Sequence, residues 1–294
     1  MRPFTYEQKS LIERGEVLNT QLKSYIADAL GVNKRHESKR HTFISSGPGA
    51  GKTYTTLATA EEHNIKMIPI MGNSTLNNVM YKLAFAEYFT PRGQDIIVWI
   101  DDCDTIFSDS KQLNVIKGVL DKERSVFAWN VNLSGQLATL DKSEDPNLIR
   151  MAEALRSFQH AGSMGVEIPT DRMRFIITSN RKLIAPNAPK LRTGRANQKL
   201  MDESAFRDRV RYKELTQNPK EMWGWLASVA LNTEVLHVLS KEQIQELLIW
   251  MFDHWNNLSS VSLRAVEELA ADMVNHPTDY VDYWESSFLI SSEV

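Results

Sequence analysis

The chain has 294 residues, of which 42% are hydrophobic, enough for one large α/β domain or for a core with a smaller appendage. A formal net charge of -3 argues against a generally basic nucleic-acid coat but is compatible with a local basic path. The single cysteine, Cys103, excludes an intrachain disulfide and fits a reducing compartment. Without a signal peptide or an apolar run near the roughly 18 residues that span a bilayer, we expect a soluble cytoplasmic protein with no membrane contact.

Apolar periodicity first predicts alternating helices and strands. In chain order these are a helix at 6–30, a strand at 42–44, a helix from Lys52, a strand at 65–71, a helix at 75–88 capped by Ser74, and a strand at 96–100. The pattern continues with a helix at 111–122, a strand at 125–131, a polar turn-rich segment at 133–146, a helix at 147–160 and a strand at 175–178.

From about Glu214 the strand-like runs vanish. Amphipathic helices are predicted at 219–231, 240–256, 261–275 and 278–289. Strands that alternate with helices, followed by helices alone, indicate an α/β core with a parallel sheet flanked by helices and an all-helical appendage. We therefore predict a core domain over 1–213 and a helical subdomain over 214–294.

A phosphate-binding loop is the most specific motif. Residues 46–53 read Ser-Gly-Pro-Gly-Ala-Gly-Lys-Thr and lie between a predicted strand and a predicted helix, the context that a P-loop requires. Lys52 is expected to reach the β- and γ-phosphates and Thr53 to ligate Mg²⁺. Ser46 stands where the pattern has its first glycine, and the alternative is a glycine-rich turn without a ligand. The predicted nucleotide contacts of this loop are Gly47, Pro48, Gly49, Ala50, Gly51, Lys52, Thr53 and Tyr54.

Acidic residues follow the strand predicted at 96–100. Asp101 and Asp102 come first, then Cys103 and Asp104, and a buried parallel strand that ends in acids places them at the edge of the sheet where ligands bind. We expect Asp101 to hold Mg²⁺ through water and Asp102 to polarise the attacking water. The alternative is an acidic loop after a core strand, and Cys103 is expected to be a packed side chain rather than a nucleophile.

Together these motifs resemble the AAA+ family of P-loop ATPases over roughly residues 5–275. In that family the second acid is usually Glu, and Asp102 is one methylene shorter. Asn180, after the strand at 175–178, resembles the sensor 1 residue that positions the attacking water. Its alternative is an Asn that only caps a strand end.

Two arginine positions extend the resemblance. Arg209, with Arg207 as the alternative, resembles the arginine finger that a neighbouring subunit supplies, which implies a homo-oligomeric ring or spiral such as a hexamer. The competing interpretation is a surface ion pair with Asp202, Glu203 or Asp208. Arg264 opens a predicted helix and resembles sensor 2 of a lid, with a solvated helix arginine as its alternative.

The substrate is less defined. Residues 181–199 contain six basic residues and no acid, which suits a basic loop on a nucleic-acid backbone, although a solvated loop or a contact with a neighbouring subunit fits equally. A second basic cluster spans 34–40, just before the first core strand, and its alternative position is near the nucleotide base instead of on a nucleic acid. Residues 71–74 lack the aromatic residue of the pore loop in protein-unfolding members of the family, which disfavours a threading unfoldase. Residues 114–131 resemble uncharacterised AAA+ ATPases of tailed bacteriophages, which implies a host bacterial cytoplasm.

We therefore expect an ATP hydrolase that couples MgATP hydrolysis to remodelling or movement of a nucleic-acid or nucleoprotein substrate. A protein-remodelling ATPase is the second reading. The third is an ATP-gated assembly switch with weak hydrolysis, which the substitution at Asp102 favours.

Overall fold

The computed structural model describes residues 2–32, 40–72, 74–106, 110–159, 165–183, 194–215 and 218–290, with the backbone alone for 194–200. The helices are α1 (Tyr6–Leu30), α2 (Lys52–Glu62), α3 (Leu76–Phe89), α4 (Ser110–Val119), α5 (Leu133–Leu140), α6 (Pro146–Ser157), α7 (Gly194–Arg209), α8 (Pro219–Asn232), α9 (Lys241–Asp253), α10 (Leu263–Asn275) and α11 (Tyr280–Phe288). The strands are β1 (His41–Ser46), β2 (Met67–Met71), β3 (Ile96–Asp101), β4 (Val126–Asn130), β5 (Gly165–Pro169), β6 (Met173–Ser179) and β7 (Val210–Leu215).

The chain forms two compact units. The helical unit comprises residues up to 25, 46–56 and from 215 onward, and the sheet unit comprises 26–45 and 57–214. The fold class is α/β, as predicted. The division that the sequence predicts between 213 and 214 stays a prediction.

The sheet unit is built on five strands in the order β2-β3-β6-β1-β7. β6 pairs in parallel with β1 on one side and with β3 on the other, and β3 pairs in parallel with β2. Every residue of β1 and β3 is buried. Burial on both faces explains the nearly continuous apolar run of β3, whereas β1 also buries the polar residues His41, Thr42, Ser45 and Ser46. The carboxyl ends of these parallel strands lie at one edge of the sheet, where Ser45 is level with Ser179 and Asp101 with Thr178.

A small two-stranded antiparallel sheet differs from the prediction. β4 is predicted, but its partner β5 is not, and the two strands pair from Val126–Pro169 to Asn130–Gly165. The polar, turn-rich interpretation of 133–146 is wrong over 133–140, where α5 forms. Leu133 and Leu137, one helical turn apart, bury one face of α5.

Three further local predictions need correction. Thr75, not Ser74, caps α3: Thr75 Oγ1 accepts from the Asn78 amide (3.3 Å), whereas the Ser74 hydroxyl donates to Met71 O (2.9 Å). Residues 194–199, predicted as part of a basic loop, form the beginning of α7. β7 was not predicted at all, because only Val210 and Leu215 of its six residues are buried.

The helical unit contains the four helices predicted after 214, together with most of α1. α8 and α9 begin with capping boxes, in which Asn218 pairs with Glu221 and Ser240 with Gln243. α1 and α8 approach closely at Gly15 and Gly224. A Cβ atom on Gly224 would lie 2.3 Å from Leu11 O, and one on Gly15 would lie 2.3 Å from Gly224 O. None of the helices in the described part of the chain has both the length and the apolar character that a membrane crossing requires.

His41 makes the stability of the sheet unit depend on pH. It opens β1, is 7% exposed, and its Nδ1 accepts a hydrogen bond from the Phe175 amide (3.2 Å), which requires a deprotonated nitrogen. Burial, with the charges of Arg40 and Arg174 nearby, lowers the pKa of His41 from 6.5 to about 3. The unfolded chain therefore binds a proton between those two pH values that the folded chain does not.

We expect this histidine to destabilise the fold as the pH falls below 6.5. From pH 7 to pH 5, the free energy of unfolding should fall by about 2 kcal/mol more in the wild type than in His41→Asn, which does not titrate there. Urea unfolding at several pH values measures both slopes. Equal slopes for the two proteins would contradict a buried neutral imidazole.

Candidate functional site

The loop between β1 and α2 curls tightly around the side chain of Lys52. Gly49 and Gly51 have φ angles of +76° and +67°, a left-handed conformation that glycine adopts without strain. Lys52 is 5% exposed, and its Nζ donates to Ser46 O (3.2 Å), Ser46 Oγ (3.0 Å) and Gly47 O (3.1 Å). The ammonium group is thus held inside the turn by neutral oxygens of the loop itself.

Both left-handed glycines also pack too closely for a side chain. A Cβ on Gly51 would lie 2.6 Å from the Trp225 ring, and one on Gly49 would lie 2.6 Å from Ser262 Cβ. Ser262 is the N-cap of α10, so the loop lies against the start of the helix that carries Arg264. Arg264 is exposed in the first turn of α10.

The remaining loop residues divide into packed and exposed ones. Ala50 is 2% exposed and belongs to the core of the helical unit. Thr53 and Tyr54 are exposed at the start of α2, and Pro48 is exposed at the tip of the loop. The Thr56 hydroxyl instead donates to Lys52 O (2.8 Å) within the helix.

In the sheet unit, the side chain of Asp101 ends a chain of buried hydrogen bonds. Trp99 Nε1 donates to Thr178 Oγ1 (2.9 Å), and Thr178 Oγ1 in turn donates to Asp101 Oδ1. All three residues are at most 4% exposed. The neighbouring strand therefore fixes the orientation of the Asp101 carboxylate.

Asp102 and Asn180 are in direct contact. Asn180 Nδ2 donates to Asp102 Oδ1 (3.1 Å), and the Asp102 amide donates to Thr178 O (3.2 Å). Asp102 has a φ angle of +52°, which Asp tolerates better than most residues, and both side chains are exposed. The turn after β3 thus directs the Asp102 carboxylate toward the end of β6.

A third contact completes this acidic edge. The Ser179 hydroxyl donates to Asp104 Oδ1 and accepts from the Arg181 amide (2.9 Å). Thr178, Ser179 and Asn180, which are consecutive, thus each donate to one of the acids Asp101, Asp104 and Asp102. No role for Thr178, Ser179 or Asp104 was predicted from sequence, although two predicted buried strands that each end in a run of polar residues are a usable signal.

Cys103 lies between these acids but is turned into the core. It is 1% exposed, and its Sγ lies 3.5 Å from Ile70 O. Burial raises the pKa of the thiol, which keeps it protonated. This agrees with the prediction of a packed side chain.

Arg209 lies at the opposite, amino-terminal edge of the sheet. Its guanidinium donates to Asp121 Oδ2 (2.9 Å) and Ala205 O (2.8 Å), and it lines a cleft of about 720 Å³ with His41 and Thr170. Amides of the 121–124 turn, and then Arg209, hold the pKa of Asp121 below its usual value. Its ion-pair partner is therefore Asp121, and not one of the three acids that the sequence suggested.

Arg207 takes a different direction from Arg209. Its NH1 donates to Leu183 O (3.2 Å), just after the end of β6, and its guanidinium lies 4.1 Å from the centroid of the Tyr212 ring. The two candidate finger residues are thus separated along the strands. The structure does not bring Arg209 to the acidic edge of its own chain.

The basic segments are partly described. Arg181 pairs with Glu203 and Lys182 with Glu214 (2.9 Å). Lys190 and Arg192 lie outside the described residues, and Arg195 and Lys199 lie in the part of α7 that is described by its backbone alone. In the 34–40 cluster, Arg40 is described, and it pairs with Asp95 (2.8 Å) at the amino-terminal edge of the sheet.

No protein-family model matches the chain, and no curated protein matches it at a significant level. The site is therefore defined by its own residues and contacts.

Replacing Thr178 by Val should destabilise the protein by about 1–3 kcal/mol, because Trp99 Nε1 loses its acceptor and Asp101 loses a donor, both in buried positions. Thr178→Ser keeps the hydroxyl and should cost less than Thr178→Val. Urea unfolding compares the two variants. Equal stabilities would show that the hydrogen-bond chain has no energetic weight.

Proposed function

We propose that this protein is an ATPase of the AAA+ type that binds MgATP through residues 47–54 and hydrolyses it as part of a homo-oligomer. The observation that carries the proposal is the position of β6 between β1 and β3. β1 continues directly into the phosphate loop, β6 ends at Ser179, immediately before Asn180, and β3 ends at Asp101. The parallel direction of the three strands sends all three ends to the same edge of the sheet.

The local conformation of the loop supports phosphate binding. Glycines in the left-handed region let successive amide groups of a loop face an anion, and the N-terminus of α2 adds its unpaired amides. The Lys52 ammonium is already held within the turn, at Ser46 and Gly47, so it is preorganised for a charge-assisted contact with the β- and γ-phosphates. Tyr54 and the other loop residues would line the nucleotide.

The donor set fits magnesium. A hydroxyl at Thr53 and a carboxylate at Asp101, which Thr178 orients, are the oxygen ligands that Mg²⁺ takes beside substrate phosphates. The ion would supply charge neutralisation to the triphosphate. Asp102 would accept a hydrogen bond from the attacking water, and Asn180, already bonded to Asp102, would help to fix the position of that water.

The place of Arg209 supports a shared active site. Five residue steps separate His41, beside the arginine cleft, from Ser46 at the other edge, roughly 17 Å along a strand. Arg209 is therefore too distant to reach a phosphate at the acidic edge of its own chain. A role for this arginine in the reaction requires a second copy of the protein.

The lid arginine has local support of a different kind. Gly49 of the loop packs against Ser262, two residues before Arg264. A nucleotide that alters the loop would act directly on the start of α10. We propose that Arg264 contacts the γ-phosphate and links the nucleotide state to the helical unit.

A nucleic-acid or nucleoprotein substrate is the second part of the proposal. Arg181 and Lys182 are paired with acids of the same chain, so the positive charge offered to a phosphate backbone would come from Lys190, Arg192, Arg195 and Lys199. Stimulation of turnover by single-stranded DNA at low salt would support this part. Its absence would favour protein remodelling or an assembly switch.

Lys52→Ala and Asp102→Asn should each lower the rate of ATP hydrolysis by about 100-fold or more, since one removes the phosphate ligand and the other the water-orienting carboxylate. Asp95→Asn is the matched control, because Asp95 lies just before the amino end of β3 and should leave the rate unchanged. Phosphate release at saturating MgATP measures all three proteins. Unchanged turnover in both site variants would overturn the assigned chemistry.

Arg209→Ala should be inactive alone and regain turnover when it is mixed with Asp102→Asn subunits. The mixture creates sites that combine an intact Asp102 from one copy with an intact Arg209 from its neighbour. Mixed subunits that assemble but recover no activity would count against a shared site.

A further inference from the structure

Helix α7 is attached to the end of β6 by a largely buried ion pair. Arg181 NH2 donates to Glu203 Oε1, with the Glu203 side chain 1% exposed and that of Arg181 20% exposed. A carboxylate as buried as that of Glu203 is costly unless it is paired and hydrogen-bonded. The contact therefore fixes the position of Arg181, the residue after Asn180, relative to α7.

The same short segment is bound to the acidic edge on its other side. Asn180 donates to Asp102, and the Arg181 amide donates to Ser179 Oγ, which in turn bonds Asp104. Two residues further on, Leu183 O accepts from Arg207 of α7. Residues 180–183 thus connect the carboxylates after β3 to α7 through two separate contacts.

The neighbouring acid on α7 provides an internal comparison. Asp202 has a side chain 5% exposed and pairs with Lys117 of α4 at 2.8 Å. Consecutive helix residues point about 100° apart, so Asp202 anchors α7 to another helix while Glu203 anchors it to the strand end. The two ion pairs are similar in burial and chemistry but differ in what they connect.

We propose that the Arg181–Glu203 ion pair is a positioning contact that transmits the state of the Asp102–Asn180 pair to α7. This inference rests on the proposed function. A γ-phosphate or an attacking water that changes the Asp102–Asn180 contact shifts Arg181, the next residue, and with it Glu203. Arg209 lies six residue steps after Glu203 on the same helix, a rise of roughly 9 Å, so the shift reaches the arginine proposed to act on the neighbouring copy.

Hydrogen exchange of the α7 amides, residues 201–209, tests this coupling directly. Exchange is measured on the full chain with MgADP and with a magnesium complex of a slowly hydrolysed ATP analogue. In the wild type, α7 should exchange at different rates in the two states. Glu203→Gln should lose that difference, whereas the matched control Asp202→Asn, which breaks the pair to α4, should keep it.

Three outcomes would overturn the coupling. They are an α7 exchange rate that does not depend on the nucleotide in the wild type, a difference that persists in Glu203→Gln, or an equal loss in Asp202→Asn. Should Glu203→Gln fail to fold, Arg181→Gln replaces it, since the Arg181 side chain is partly exposed. Hydrogen exchange of residues 47–56 is the separate readout for nucleotide binding. If neither nucleotide changes exchange there, both the proposed function and the coupling are contradicted. If a nucleotide protects 47–56 while α7 does not respond, the coupling alone is contradicted.

Discussion

Parallel pairing of β6 with β1 on one side and β3 on the other is the constraint on which the rest of the structure depends. It aligns Ser45 with Ser179 and Asp101 with Thr178, so three chemically different strand ends share one edge. One end continues into a glycine loop, one carries amide and hydroxyl groups, and one carries acids. No single segment of the chain contains this combination, which exists only because the sheet places β6 in the middle.

The hydrogen bonds across that edge show how the polar groups remain oriented. Thr178, Ser179 and Asn180 each donate to a different acid, and the donors range from a buried hydroxyl to an exposed amide. The buried pair, Thr178 with Asp101, is suited to a fixed metal ligand, because Trp99 restrains it further. The Asn180–Asp102 pair is exposed at the same edge. A buried and an exposed polar pair thus lie one or two residues apart.

Much of this was predictable from the sequence, and the reasons for the exceptions are physical. A strand buried on both faces, such as β3, can be predicted from its continuous apolar composition. Gly-Lys-Thr after a strand predicts the phosphate loop. The short amphipathic pieces were less visible. α5 depends on two leucines within a polar context, β5 is short and pairs with a strand far away in sequence, and β7 has only two buried residues.

The site shows the same division. Residue types singled out Asp102 and Asn180 as candidate site residues, but did not predict that the two side chains are in contact. Spacing suggested acids of α7 as ion-pair partners of Arg209, whereas the tertiary fold supplies Asp121 from a distant turn. Long-range ion pairs of this kind depend on which helix covers which strand. Periodicity along the chain carries no information about that choice.

Binding of the phosphates of a nucleoside triphosphate by residues 47–54 underlies the whole proposed function. Equilibrium titration of the protein with a fluorescent ATP analogue, with and without Mg²⁺, tests it most directly. We expect saturable binding that strengthens with Mg²⁺ and is weakened by Lys52→Ala, because the Lys52 ammonium is the charged ligand of the loop. Absence of any magnesium-dependent affinity in a wild-type protein that is folded would contradict it.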